Sequence, residues 1–466
     1  MIFTDLVFFP FFIIVLVVAN LILKDKQQYR KLFLLIASFY FYASWNWKLA
    51  FLVIFSTSID YLCALKMDSA TNPSIAKRFL LISIISNLTI LGFFKYFNFF
   101  MDNVSFILGE NFKHWNILLP IGISFYTFEA MSYVIDVYHK KISAEKSYIN
   151  FGFFIIFFPK LVAGPILRAY EFLPQVHNYV NATKQDIEIG IQVFVQGIIK
   201  KVILADTVAI FADAIFGNPS PYNSATIWLA VIAYAIQIFC DFSGYTDMAI
   251  GTAKMLGYDL VKNFDMPYVS TTVTEFWKRW HISLSRWIKD YIYIPLGGNR
   301  LGRIRTYINL LVTMLLGGLW HGASWNFVIW GGMHGLALSI DKYLKLPELL
   351  EKYKILKPLF WFITLIFILV TWVFFRAQNF GTAFLMLRKM FLFTDGGMQY
   401  YQPLTYIIPF VVMAHLIGKF YLEKNSKDYY YFDLESFIGI LVLLITILLI
   451  IALLPVSTSR FIYFQF

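Results

Sequence analysis

The chain has 466 residues, of which 59% are hydrophobic, 20% aromatic and only 14% charged. A soluble globular protein carries roughly 25% charged residues, so a water-soluble globule is excluded. The formal net charge of +11 is spread over short loops and reads as membrane topology rather than as a nucleic-acid patch.

Apolar runs at 6–23, 79–94, 359–375 and 437–454 are long enough, or nearly so, to cross about 30 Å of hydrocarbon. The chain is therefore read as an all-α polytopic membrane protein. Roughly ten to twelve spanning helices are expected by the length criterion, with re-entrant and interfacial pieces sharing one bundle. The first run has no basic residues before it; Lys24, Lys26, Arg30 and Lys31 follow it instead, which argues against a cleavable signal. Lys77 and Arg78, and then Lys140, Lys141 and Lys146, mark the next basic loops, and the intervening loops carry fewer positive charges. This alternation puts the N-terminus outside the cytoplasm. Cys63 and Cys240 exclude a disulfide framework and read as small buried hydrophobes.

Spans and short loops alternate plainly over 1–145, whereas 146–340 has shorter apolar segments interrupted by Gly, Pro and charge. F-F-P-K-L-V-A-G-P-I-L-R (157–168) and D-F-S-G-Y-T-D-M-A-I-G (241–251) are the clearest cases. Broken helices at membrane depth survive only where protein or a water-filled cavity covers the freed backbone groups, so the working cavity is expected in this middle part. In 341–466 a basic stretch (Lys342, Lys345, Lys352, Lys354, Lys357) precedes a span, 383–393 reads as an interfacial amphipathic helix, and two further spans follow. Counting sides in this way puts both termini on the extracytoplasmic face.

Two histidines stand in aromatic, nearly uncharged surroundings, His281 after Trp280 and His321 after Trp320. A titratable ring at membrane depth is costly unless a cavity or a reaction uses it. Gly317, Gly318 and Gly322 thin the chain around His321 and permit close approach of backbone or substrate. His281 by itself could equally be a hydrogen-bonded core residue. His334 has a similar small-residue setting and a structural role is open to it; His415, alone on an apolar span, reads as packing. His114, His139 and His177 lie near loops. No close metal-ligand spacing and no H-E-x-x-H occur, so no metal is expected. The block 275–305 carries Lys278, Arg279, Arg286, Lys289, Arg300, Arg303 and Arg305 among aromatics. It suits an interfacial helix, a vestibule attracting a polyanionic substrate, or both. Asp136, Asp241, Asp247 and Asp290 are either structural ion pairs with Arg168, Arg279 or similar groups, or a proton path.

P-I-G-I-S-F-Y-T-F (120–128), the 157–168 and 241–251 segments, E-F-W-K-R-W-H-I-S-L-S (275–285) and G-L-W-H-G-A-S-W (318–325) together resemble the membrane-bound O-acyltransferases. The branch they resemble is that of the bacterial alginate and peptidoglycan O-acetyltransferases. The resemblance implies one membrane domain over 1–466 with a central tunnel, and it aligns His321 with the family's invariant histidine and His281 with its second polar position. The tail F-I-Y-F-Q-F (461–466) is similar to an acyl-carrier hexapeptide, which places Tyr463 at the carrier tyrosine. Trp280, Trp320, Arg279, Ser283 and Asn299 are expected to line the substrate path. The implied donor is acetyl-CoA, and the implied partner is an extracytoplasmic serine-dependent acetyltransferase acting on a cell-surface polysaccharide. The implied location is the cytoplasmic (inner) membrane, with lipid as the surrounding partner and no nucleic acid. The rival readings are a D-alanyl transferase of the teichoic-acid type, fed by a protein-borne thioester, and a proton-coupled transporter using Asp241, Asp247 and the histidines.

Overall fold

A backbone facing hydrocarbon has no water to pair its N–H and C=O groups, which favours helix wherever the chain is apolar. The computed structural model describes residues 1–466 apart from 111, 163, 179, 393, 426–430, 454–460 and 463–466, and apart from the side chains of 422–425. Among the described residues there is no β-strand, only a parallel bridge between Tyr222 and Gly397. The helices are α1 (Phe8–Val17), α2 (Gln27–Ala43), α3 (Trp47–Asp68), α4 (Pro73–Leu91), α5 (Phe97–Leu108), α6 (Ile123–Tyr138), α7 (Tyr148–Ile156), α8 (Phe158–Leu161), α9 (Ala169–His177), α10 (Lys184–Ile198) and α11 (Asp206–Gly217). They continue as α12 (Ser224–Met255), α13 (Val273–Arg279), α14 (Ile282–Ile288), α15 (Arg303–His321), α16 (Trp325–Tyr343), α17 (Leu346–Lys352), α18 (Lys357–Arg376), α19 (Phe380–Phe391), α20 (Leu404–Asn425) and α21 (Phe437–Ala452).

Five stretches among the described residues are long and apolar enough to cross a membrane: Trp47–Asp68, Pro73–Leu108, Ser224–Met255, Lys354–Arg376 and Leu404–Tyr421. Phe8–Ile22 and Phe437–Ala452 are apolar but shorter. Large apolar side chains such as Ile14, Phe55, Ile85, Phe362 and Leu448 are exposed on these helices, as lipid contact requires.

The chain divides into two compact units, residues 1–195 with 245–261, and residues 196–244 with 262–466. In the first unit, buried charge is paired internally. Glu129 holds Lys160 and accepts the Leu167 N–H at 2.9 Å, and Arg30 donates to the carbonyls of Ala19 and Leu256 at 3.1 and 2.6 Å. The 157–168 segment is broken as its Pro and Gly residues suggest, with short α8 followed by non-helical backbone.

The 241–251 segment is not broken. It lies inside the continuous 32-residue α12, 78% of whose apolar window is buried, against 17% for Pro73–Leu108. Its glycines serve close packing instead of chain interruption. A Cβ on Gly244 would stand 2.7 Å from the Gly197 carbonyl oxygen and 2.9 Å from the Lys201 nitrogen; one on Gly251 would stand 2.5 Å from the Gly190 carbonyl oxygen. Tight helix contacts of this kind offset the propensity cost of about 1 kcal/mol per interior glycine.

In the second unit, α15 and α16 form an antiparallel hairpin joined by the turn at 322–324. Gly318 and Gly331 face one another there, and Gly335 lies against the Leu311 backbone. Ser324 caps α16 by accepting the Asn326 N–H.

Candidate active site

His321 ends α15 and is 3% exposed. Its ring is enclosed by Trp320, Trp330 and Phe375, with centroids at 5.0, 5.0 and 5.2 Å. The surrounding glycines are used by protein. A Cβ on Gly318 would meet the Phe327 carbonyl oxygen at 2.2 Å, and one on Gly322 would meet the Phe327 ring at 2.1 Å, whereas Gly317 has only the end of Ile288 at 3.9 Å. The glycine pattern thus seats α16 against the turn that presents His321.

His281 sits between α13 and α14 with φ 43° and ψ 55°, a left-handed conformation that L-residues adopt at a cost. Trp280 before it is extended, so the chain reverses here and α14 starts afresh, with the Ser285 N–H bonded to the His281 carbonyl at 2.9 Å. The segment 263–265 secures this corner. The Ile282 N–H donates to the Asn263 carbonyl at 2.9 Å, and the Asp265 N–H to the Arg279 carbonyl at 2.9 Å.

The Asn263 side chain then fixes the imidazole. Its Oδ1 accepts the Ser283 N–H at 3.1 Å, the Ser283 hydroxyl at 2.9 Å, and lies 3.2 Å from His281 Nδ1. A backbone N–H can only donate, so the shared atom must be the carboxamide oxygen, and His281 Nδ1 must carry a proton to bond to it. In the neutral ring the basic nitrogen is therefore Nε2. His281 is fully buried, packed edge-on against Phe242 at 4.7 Å and near Trp320 at 6.0 Å. Trp320 is thus a neighbour of both histidines.

His334 is held in the opposite tautomer. Trp277 Nε1 donates to His334 Nδ1 at 3.2 Å, which leaves the neutral ring's proton on Nε2. That Nε2 is buried without a partner among the described residues. His415 bonds the Val411 carbonyl of its own helix at 2.9 Å and stacks among Phe239 and Tyr268.

The other expected residues are placed unevenly. Trp280 is core, parallel to Phe276 at 5.5 Å and close to Trp372 at 5.1 Å. Arg279 pairs with Glu275 at 3.0 Å and with Asp265 at 3.3 Å, two carboxylates outside the Asp136, Asp241, Asp247 and Asp290 set considered from sequence. Ser283 is committed to Asn263, and Asn299 is exposed in the turn before α15. Tyr463 lies outside the described residues. Phe461 and Ile462, immediately before it, are buried. Among the described residues no three His, Cys, Asp or Glu side chains gather as a metal site.

A cavity of about 400 Å³ opens beside α13, α14 and α16, lined by Trp277, Ser285, Thr313, Met314 and others, with Lys289, Lys342 and Lys345 among its walls. The three lysines are exposed, and Asp341 and Glu348 lie nearby. Trp277 lines this cavity and bonds His334, so one side chain joins it to the buried aromatic layer.

Sequence reasoning did not find Asn263, and no local pattern marks it, since its partners are 18 and 20 residues away. Lys201 could have been flagged: two lysines in the apolar run I-I-K-K-V-I-L-A (198–205) need acidic partners. Lys201 bonds Asp206 at 2.8 Å and Asp241 at 2.7 Å, all three side chains being essentially buried.

Residues 138–380 match the model of the membrane-bound O-acyltransferase family. The chain is 41% identical to a probable alginate O-acetylase from Pseudomonas putida, over 94% of this chain and 95% of that protein. It is 38% identical to a peptidoglycan O-acetyltransferase from Helicobacter pylori, over 77% of this chain and 73% of the relative. A teichoic acid D-alanyltransferase from Streptococcus thermophilus is 28% identical over 51% of this chain and 60% of its own length.

Proposed function

The chain belongs to the membrane-bound O-acyltransferase family, and from that premise we propose that it moves acetyl groups from acetyl-CoA to the outside for O-acetylation of a polysaccharide of the alginate or peptidoglycan kind. The acetyl assignment rests on relatives that match 77–94% of the chain, whereas the alanyl relative matches about half. The whole chain acts as one membrane domain, with more than the five long apolar stretches crossing, both termini outside, and the inner membrane as its location.

The observation that carries the chemistry is the imposed tautomer of His281 beside the layer that encloses His321. The basic cavity at Lys289, Lys342 and Lys345 receives the anionic coenzyme, whose phosphates its positive field attracts from the cytoplasmic side. His321 acts as general base toward an acceptor hydroxyl. The hydroxyl oxygen bonds to the acetyl carbon, the carbon–sulfur bond breaks, and the imidazole returns the proton to the departing thiolate. A general base is worth about 10²–10⁴-fold in rate, and a phenol with a pKa near 10 needs one at neutral pH. Neutral His281 presents Nε2 as an acceptor, which supports orienting His321 or the hydroxyl. Polarising a carbonyl would need a protonated ring.

Tyr463 is the acceptor in this scheme. Its ester then passes to a serine of an extracytoplasmic partner, which acetylates the glycan. Release of free coenzyme A by the purified full-length protein, given acetyl-CoA and that partner, tests the reading. His321→Ala should abolish it. No release with acetyl-CoA, but acyl transfer from a charged carrier protein, would replace acetyl with alanyl transfer; no release with either would favour transport. Glycan acetylation unchanged by Tyr463→Phe would remove the carrier step alone.

A further inference from the structure

The buried charge on α12 has a use beyond neutralising itself. Lys201 lies in the irregular helical stretch Ile199–Ala205 and is drawn onto α12 by the close approach of Gly197 to Gly244. Its ammonium bridges Asp206 and Asp241, with side chains only 1–2% exposed. Carboxylates in a buried place need donors for their remaining lone pairs. Among the described residues, the backbone of the tail supplies one to Asp241: the Ile462 N–H points at Asp241 Oδ2 at 2.8 Å, across 221 residues of sequence. The neighbouring side chains repeat the pairing. Phe461 packs on Phe242 at 6.0 Å, and Phe242 packs on His281 at 4.7 Å. One turn earlier on the same face of α12, Gln237 keeps a buried Oε1 without a partner among the described residues, a further polar group on the face that receives the tail.

We propose that Asp241, held by Lys201, is a positioning residue that seats the C-terminal tail on α12 beside His281. The proposal rests on the carrier reading of Tyr463, the residue that follows Ile462. A carboxylate suits this seat because it pairs with the Lys201 charge through one oxygen and accepts the tail N–H with the other, so the tail is fixed by its backbone whatever its side chains carry. Acetylating a neighbouring side chain leaves that bond in place. Lys201 keeps its bond to Asp206 if Asp241 is lost, so truncation at 241 does not strand a bare ammonium.

The cleanest perturbation is Ile462→Pro, which deletes the N–H and leaves the Lys201–Asp206–Asp241 cluster untouched. Ile462→Leu is its control, and Asp241→Ala and Asp241→Asn probe the other partner. Hydrogen exchange of the C-terminal segment in the full-length protein should speed up about 10- to 100-fold in Asp241→Ala, the worth of a buried charge-assisted hydrogen bond, and less in Asp241→Asn, which keeps an acceptor. Acetyl transfer to the partner should fall by a similar factor in Ile462→Pro and Asp241→Ala with the KM for acetyl-CoA unchanged, and Ile462→Leu should match wild type. Wild-type exchange in Asp241→Ala, or full transfer by Ile462→Pro, overturns the seat. Tyr463→Phe separates the two ideas: transfer that survives it ends the carrier reading, while tail protection that survives it together with loss in Asp241→Ala upholds the seat as structure.

Discussion

Asn263→Leu tests whether the tautomer of His281 is part of the machinery. Leucine is close to asparagine in size but offers no acceptor, so three donors lose their common oxygen: the Ser283 N–H, the Ser283 hydroxyl and His281 Nδ1–H. The hydroxyl can rotate elsewhere. The imidazole can move its proton from Nδ1 to Nε2, which relieves the second orphan and removes the basic lone pair from the side that Asn263 had left free. The Ser283 N–H then loses its Asn263 acceptor, a cost of about 1–3 kcal/mol. Stability should therefore fall modestly, whereas coenzyme A release should drop about 10²- to 10⁴-fold, the span of a misplaced acid–base group. Asn263→Asp retains the acceptor and should retain turnover. Ser283→Ala removes one hydrogen bond, costs about 0.5–1.5 kcal/mol and leaves the tautomer alone, so its turnover should stay near wild type. Thermal unfolding in detergent and coenzyme A release, measured on the same preparations, give both numbers. An Asn263→Leu protein with wild-type kcat/KM would refute the reasoning, because the ring would then work without an imposed proton position.

Backbone strain and chemistry separate at His281 itself. At φ 43°, His281→Gly should unfold at a higher temperature than His281→Ala, by about 1 kcal/mol of stability, with coenzyme A release lost in both. Gly318→Ala must push a Cβ against backbone at 2.2 Å and should cost about 1–3 kcal/mol. Gly317→Ala meets only the end of the Ile288 side chain at 3.9 Å and should be neutral or stabilising by up to about 1 kcal/mol in the same melts. Reversing Lys289, Lys342 or Lys345 to glutamate should raise the KM for acetyl-CoA, with the increase shrinking at high salt, and leave kcat little changed. Glu275 supplies a pH test. Burial acts to raise its pKa, but hydrogen bonds from Thr271 and the Arg279 charge outweigh that and hold it below the ordinary 4.5. A depressed folded pKa contributes stability that is present above the unfolded value and is lost as pH falls through the folded one. The melting gap between wild type and Glu275→Gln should therefore be full at pH 7 and close as the pH drops below about 4.5. A gap that widens on acidification contradicts the assignment.

Much of this molecule is decided locally. Mean hydropathy over a window is a sum over neighbours in sequence, so the membrane class, the helical backbone and the apolar spans follow from composition alone. The two histidines stood out for the same reason, a costly polar ring in a local apolar setting. The break at 157–168 was legible because Pro and Gly act on their own dihedral angles. Glycine at 244 and 251 was not, because there the residue serves a distant backbone and the helix runs on. The histidine tautomers, the left-handed corner at His281 and the closure of Lys201 onto Asp241 and the tail belong wholly to the tertiary structure. A buried polar group takes whatever partner the packing delivers, and that partner can lie 18 or 221 residues away. Sequence therefore specified which groups must be paired; only the folded chain decided with what.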